Sequence, residues 1–364
     1  MKNKTFKKLG FFFFPMLVLF ACKNPEPIPP KGDYEGGYIV INEGQFQHDN
    51  ASISFISEDF SSVEDSVFYK VNNELLGDVA QSQFFNNDKA YFVMNNSHRV
   101  VITNRWTMKK IGLITSRIHS PRYMEKISNR FAVISNWGEI YDANWQDVND
   151  DFLAWVNLDN DVVTDTLHIA TGPDKMLFIG GKLYVLIPGV MTLNNKIAIV
   201  DPFNRHIMRY MEVGDVPAAI VSDGNEKIWI ACKGKEAWTG NETGGKLIQI
   251  DPVTDDIIFR MDLNTTQHPY FLNHKNNYLY LLVQHKLYKF SVNSPAVDAS
   301  TEILDLSNSV ITPYGMAIIE DKLFITDAGN FMEPGKVYVF DLETMQQIAI
   351  VRAGYLPREI APNF

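Results

Sequence analysis

Cysteine is almost missing from this sequence: its 364 residues hold two, Cys22 and Cys232. That excludes a disulfide-stapled scaffold and any cysteine-rich metal centre. Positive charge is short as well, with 33 Lys and Arg against 43 Asp and Glu and a formal net charge of −10. A chain this acidic lacks the electrostatic footprint of a nucleic-acid binder. The apolar run from Leu9 to Phe20 falls short of the roughly 20 residues that a membrane-crossing helix needs. Stretches with helical period are nearly absent. What the chain does have is 46% hydrophobic and 12% aromatic residues against 21% charged, enough for a large core and contrary to disorder.

The N-terminus carries an export pattern. Lys2, Lys4, Lys7 and Lys8 precede the apolar run, which ends in small Ala21 before Cys22. Leu19-Phe20-Ala21-Cys22 resembles a bacterial lipobox, in which the cysteine thiol is diacylated and becomes the new N-terminus. Residues 1–21 are thus expected to be a lipoprotein signal peptide, and their removal takes four lysines and leaves a charge of −14. Residues 22–35, with Pro25, Pro27, Pro29 and Pro30, read as an extended tether to a membrane. Cys232 follows Ile228-Trp229-Ile230-Ala231 and reads as a buried, inert thiol.

Residues 36–364 repeat one phrase: a proline turn, about eleven residues, then a basic residue within a run of strand formers. Ser120-Pro121-Arg122 leads to Arg130-Phe131-Ala132-Val133, Gly172-Pro173-Asp174 to Lys182-Leu183-Tyr184-Val185, and Val216-Pro217-Ala218 to Lys227-Ile228-Trp229-Ile230. His268-Pro269-Tyr270 and Thr312-Pro313-Tyr314 open two more copies, and an earlier one has Ala80 at the proline position. Each copy has room for four short strands, the period of a propeller blade. Tyr355-Leu356-Pro357-Arg358 begins the phrase again, while Gly37-Tyr38-Ile39-Val40-Ile41-Asn42 starts in mid-blade. Joined, the two ends make a seventh blade and leave no free sheet edge. The expected fold is all-β, a seven-bladed β-propeller closed by both termini.

The repeats lack the Gly-His and Trp-Asp pairs of WD40 blades. Lys246-Leu247-Ile248-Gln249-Ile250-Asp251-Pro252-Val253-Thr254 instead resembles the YVTN/YncE-type bacterial propellers. Gly37-Tyr38-Ile39-Val40-Ile41-Asn42-Glu43-Gly44 with Ala51-Ser52-Ile53-Ser54-Phe55-Ile56 resembles the opening of Bacteroidota surface lipoprotein propellers of the BtuG (cobalamin-capture) type. That resemblance implies an outer-membrane lipoprotein at the cell surface, beside a TonB-dependent transporter, with a corrinoid such as cobalamin as bound ligand and no resident cofactor.

Antiparallel connectivity puts the loops between second and third strands, and the interblade turns, on one face. Those loops carry the insertions, 43–50, 95–99, 136–151, 188–195, 233–245 and 327–335, and this face is the expected binding mouth. The residues after each proline position should ring it: Gln81, Arg122, Asp174, Ala218, Tyr270, Tyr314 and Arg358. Two arginines and two tyrosines against one acid predict a mildly cationic, aromatic funnel for a planar or anionic ligand. Because these residues start strands, replacing Arg122 and Arg358 is expected to weaken binding and leave folding unchanged. Trp137, Tyr141, Trp145 and Trp238 lie in the insertions and are further candidates for ligand or partner contact. The acids from Asp142 to Asp151 supply hard oxygens but match no EF-hand spacing. His48, His98, His119, His268 and His285 map to the same face. One ring acid, no zinc motif and no nucleophile elbow give no catalytic or metal-binding set to assign. Non-catalytic capture is the leading reading, with a protein-binding scaffold of the cell envelope, and then a propeller lyase or lactonase, as alternatives.

Overall fold

Runs of β-branched and aromatic residues, each ended by Asn, Asp or Gly, fold into short antiparallel strands because every run can bury both faces only against neighbouring sheets. The computed structural model describes residues 1–2 and 30–364; Cys22, the lipobox and most of the leader and tether lie outside the described residues. Seven four-stranded sheets form a ring. Blades 1 to 6 span residues 80–114, 121–168, 176–212, 217–262, 269–305 and 313–352. In blade 7 the inner strand Pro357–Pro362 pairs with Gly37–Asn42, which is followed by Ser52–Ser57 and Val63–Glu64. Val40 faces Ile360 and Ile39 faces Ala361 across that seam, so the closure expected from the ends of the sequence is present.

Burial follows from position in the blade. Ile228–Cys232, a second strand, is buried along its whole length, whereas the outermost strand Asp256–Asp262 alternates between exposed and partly buried residues. Apolar clusters lie between blades: Tyr184, Ile197 and Ile199 of blade 3 pack on Ile228, Ile230 and Ile248 of blade 4. Cys232 belongs to that cluster, and burial pushes its thiol up to about 12. The basic residue of the repeated phrase has a structural role. Lys89 Nζ and Tyr91 Oη each reach Asp161 in the outer turn of the next blade, both at 2.7 Å. Lys182 Nζ (2.7 Å) and Tyr184 Oη hold Asp255 in the same way two interfaces further round.

Two features depart from the sequence reading. A short helix, Val67–Asn72, joins blade 7 to blade 1 and buries Val67 and Phe68. The expected insertion at 188–195 is instead a continued hairpin, with strands Lys182–Gly189 and Leu193–Asp201 nearly meeting.

Candidate functional site

The proline position determines where the next side chain goes. In six blades the carbonyl of the residue before it accepts a hydrogen bond from an N–H at the end of the second strand or just beyond, as in Asn95 to Val79, Lys233 to Val216 and Glu43 to Leu356 at 2.8 Å each. Val79, Ser120, Val216 and Leu356 take a left-handed backbone there, with φ of 58°, 45°, 54° and 53°. A non-glycine residue accepts that conformation only where its surroundings enforce it. The ladder then slips. Pairing runs from Pro269 opposite Val283 to Phe271 opposite Leu282, leaving Tyr270 unpaired, and Gln81, Ala218, Tyr314 and Arg358 are passed over in the same manner. In blade 2 the slip takes in both Arg122 and Tyr123. A β-bulge re-aims the side chain it leaves unpaired, here toward the ring axis. Blade 3 achieves this without a bulge: its strand begins only at Met176, and Asp174 N–H is tied to Leu186 O at 2.9 Å.

These side chains surround an axial cavity of about 850 Å³ on the long-loop face. Arg122, Asp174, Ala218, Tyr270, Tyr314, Arg358 and Trp137 line it. Gln81 sits behind the wall, buried, accepting from Arg122 Nη1 at 2.5 Å and donating to Tyr123 Oη at 3.2 Å. Trp137 stacks on the Arg122 guanidinium, 3.7 Å from ring centroid to Cζ. Tyr141, Trp145 and Trp238 are not part of the lining. Tyr141 and Trp145 stack on each other at 4.4 Å and stand 39% and 63% exposed, while Trp238 is 77% exposed on a single 3-10 turn, Ala237–Thr239.

The funnel is not the open cationic ring that its composition suggested, because its bases are paired with acids, one from the ring itself and others from the loops. Arg122 gives Asp174 Oδ2 two hydrogen bonds, 3.1 Å from Nε and 2.9 Å from Nη2. Arg358 Nη1 pairs with Glu43, which also accepts from Tyr314 Oη at 2.9 Å. On the opposite wall Glu236 takes Tyr270 Oη at 2.9 Å and Lys233 Nζ at 2.6 Å. Burial and then Glu236 drive the Tyr270 hydroxyl well above its ordinary pKa; burial and then Glu43 do the same at Tyr314. Burial opposes the charge on Arg358, yet Tyr123, Glu43 and Tyr314 hold its pKa above the ordinary value. Sequence reasoning missed Glu43, Tyr123, Lys175, Lys233 and Glu236. Tyr123 and Lys175 follow ring residues directly in the repeated phrase and were within reach of the same alignment. The other three depend on loop conformation.

Below the ring, two half-buried carboxyls border the hollows of the channel. Glu359 accepts the Gln83 N–H at 3.0 Å and Glu125 the Phe178 N–H at 3.0 Å. Burial pushes Glu125 up to about 7, partly offset by the Phe178 N–H. A carboxyl raised above its unfolded value near 4.5 stays protonated in the fold while the unfolded chain has already released its proton. Stability is therefore expected to fall by about 2–3 kcal/mol as pH rises from about 4.5 to 7. Denaturant melts of Glu125→Gln should lose that slope and gain stability at pH 8; a wild-type slope in the variant would refute the assignment.

The remaining sequence candidates have local roles. In the acidic loop Asp142 accepts N–H groups of Asn144 and Gln146, Asp147 those of Met191 and Thr192, and Asp151 that of Gly172. Among the described residues no group of three His, Cys, Asp or Glu is arranged to hold a metal ion. His98 and His119 stack at 4.1 Å, His98 Nδ1 accepting the Ser120 N–H. His268 pairs with Glu242 at 3.2 Å, and His285 lines the cavity.

Fold and cavity define a class: a seven-bladed β-propeller with an axial pocket at its long-loop mouth. Within that class, the chain belongs to the family described as Domain of unknown function (DUF5074), whose profile matches residues 36–322. A search of curated proteins found no match. Among solved structures it is similar to a quinonprotein alcohol dehydrogenase-like protein from Bacteroides thetaiotaomicron, with a TM-score of 0.65 and 11% identity over 91% of this chain and 79% of that one. It is also similar to a periplasmic gluconolactonase of Pseudomonas aeruginosa, with a TM-score of 0.63 and 11% identity over 89% of this chain and 98% of the other. A functionally unknown protein from Desulfotomaculum acetoxidans gives 0.62 and 13% identity over 90% and 98%. At these identities the likeness is one of fold.

Proposed function

We propose that the protein captures a small ligand in the axial cavity without transforming it. The observation that carries this reading is the pocket itself: about 850 Å³, with Trp137, Tyr270, Phe271 and Tyr314 in its lining. Pockets of roughly 300–1,000 Å³ with aromatic walls and few polar groups are the usual ligand sites. Binding rather than turnover is supported by the commitment of the nearby acids, Asp174 to Arg122, Glu43 to Arg358 and Glu236 to Lys233. A corrinoid is the first ligand to try. Its flat, amide-rich periphery matches stacked rings and hydrogen-bonding groups, and a ligand of that size would insert one edge and lie across the mouth.

In this reading Cys22 is the lipid anchor of an outer-membrane protein whose domain faces the cell surface, and a TonB-dependent transporter receives the ligand. The exposed Tyr141, Trp145 and Trp238 favour partner contact beside the mouth, which also supports a second reading as an envelope protein-binding scaffold. Calorimetric titration with cobalamin, cobinamide and haem tests capture: micromolar or tighter binding of at least one is expected, and failure of all three removes this ligand class. Fractionation of cells carrying Cys22→Ser tests the anchor, since a variant that still sediments with membranes rules out lipidation at that residue.

A further inference from the structure

The cations that line the cavity are paired, with one exception. Arg122 has Asp174 at 2.9 Å, Lys233 has Glu236 at 2.6 Å, Lys286 has Glu302 at 2.9 Å, and Arg358 has Glu43. Lys175 also lines the cavity, yet among the described residues no carboxylate lies within the 4.0 Å of an ion pair. Its ammonium lies between two aromatic rings, 5.7 Å from the centroid of Tyr123 and 5.9 Å from that of Phe271. Those contacts hold a cation weakly and leave its hydrogen-bond donors open.

Position adds to this. Lys175 follows ring residue Asp174 and belongs to a second tier with Tyr123, Phe271 and Glu359. It borders the mouth cavity and also two smaller hollows beneath, of about 240 and 190 Å³. Glu359, which borders both hollows, directs its carboxyl to the Gln83 N–H. Lys175 therefore stands half-buried at the floor of the mouth with no carboxylate in ion-pair range, Glu359 sensing its charge only from beyond that distance, and its open donors suit one anion.

Resting on the capture reading, we infer that the cavity takes a ligand whose carboxylate, or equivalent singly charged oxyanion, is received by Lys175, with a flat apolar body lying against Tyr123, Phe271, Tyr270 and Tyr314. The charged group enters first and the body fills the funnel. Either a free aromatic acid or an acidic side arm of a larger macrocycle supplies this chemistry.

The test uses probes matched except for charge: 1-naphthoate against 1-naphthamide, and haem against its dimethyl ester, titrated into wild type, Lys175→Met and Lys175→Arg. Each acid should bind wild type at least about tenfold more tightly than its neutral partner. Lys175→Met should abolish that preference, Lys175→Arg should restore part of it, and neutral probes should bind all three proteins alike. Naphthoate alone answering to Lys175 would identify a free acid, and haem alone a macrocyclic side arm. Binding without preference for the acid, or a preference that survives in Lys175→Met, overturns the inference and leaves capture standing. If no probe binds at millimolar concentration, the inference fails. Thermal melts confirm that Lys175→Met is folded, since its loss leaves no acid unpaired.

Discussion

Deleting Tyr355 to Phe364 is expected to abolish the native thermal transition of the whole ring. The segment supplies the inner strand of blade 7, hydrogen-bonded to Gly37–Asn42 and packed through Ile360 on Tyr38 and Val40. It also carries Asn363, whose Nδ2 donates to Arg105 O at 3.0 Å and whose Oδ1 accepts from Arg105 Nε at 2.8 Å. Without it, blade 7 loses its inner member and the first and last blades separate, exposing apolar faces on both sides of the gap. The loss is comparable with the roughly 5–15 kcal/mol that stabilises an ordinary domain. Circular dichroism melts of the truncated protein are the measurement, with the missing segment added back as a peptide for control. A midpoint equal to that of the full chain would refute closure by this strand.

The second large effect is expected from Arg358→Ala. Read from the sequence, this arginine could be removed at no cost to folding; its surroundings say otherwise. Glu43 is only 16% exposed and depends on Arg358 for its counter-charge, and Tyr314 donates to the same oxygen. Breaking a buried ion pair from one side typically costs about 3–5 kcal/mol. With the arginine side chain still 21% exposed, about 2–3 kcal/mol is the reasonable figure here. Replacing both partners, Arg358→Met with Glu43→Gln, should recover most of it, because no charge is then left alone. Urea unfolding of the two single variants and the double variant measures this directly; a single variant as stable as wild type would show the pair to be solvated. Binding data on Arg358 variants consequently need a stability control.

Much of the architecture was legible because its signals are periodic. A proline turn and a strand opening on Lys-x-aromatic in most copies recur at blade spacing, and periodicity of that kind survives individual exceptions such as Ala80 and Arg130-Phe131-Ala132. The ring residues were legible for the same reason. What hid Glu43, Lys233 and Glu236 is that they come from loops with no common length or conformation, so nothing in the sequence says how far back toward the axis each one folds. Charge counting along the ring failed on that account at Arg358, which loop residue Glu43 neutralises, whereas Arg122 is neutralised by Asp174, the acid already in the count. The short helix at Val67–Asn72 is a single turn and a half with no apolar stripe to announce it.

The bulges after the proline positions separate recognition from scaffolding. A residue passed over by the ladder can change identity without breaking a backbone hydrogen bond of its blade, and the six bulged positions hold Gln, Arg, Ala, Tyr, Tyr and Arg. Such a mouth behaves like a set of interchangeable inserts on a fixed frame. Its constraint lies between the inserts and the loops above them: Arg358 is tied to Glu43 and Tyr270 to Glu236. Redirecting this pocket toward a new molecule is therefore a matter of exchanging insert and loop partner together, and libraries that vary the two in concert should keep far more folded members than libraries that vary either alone.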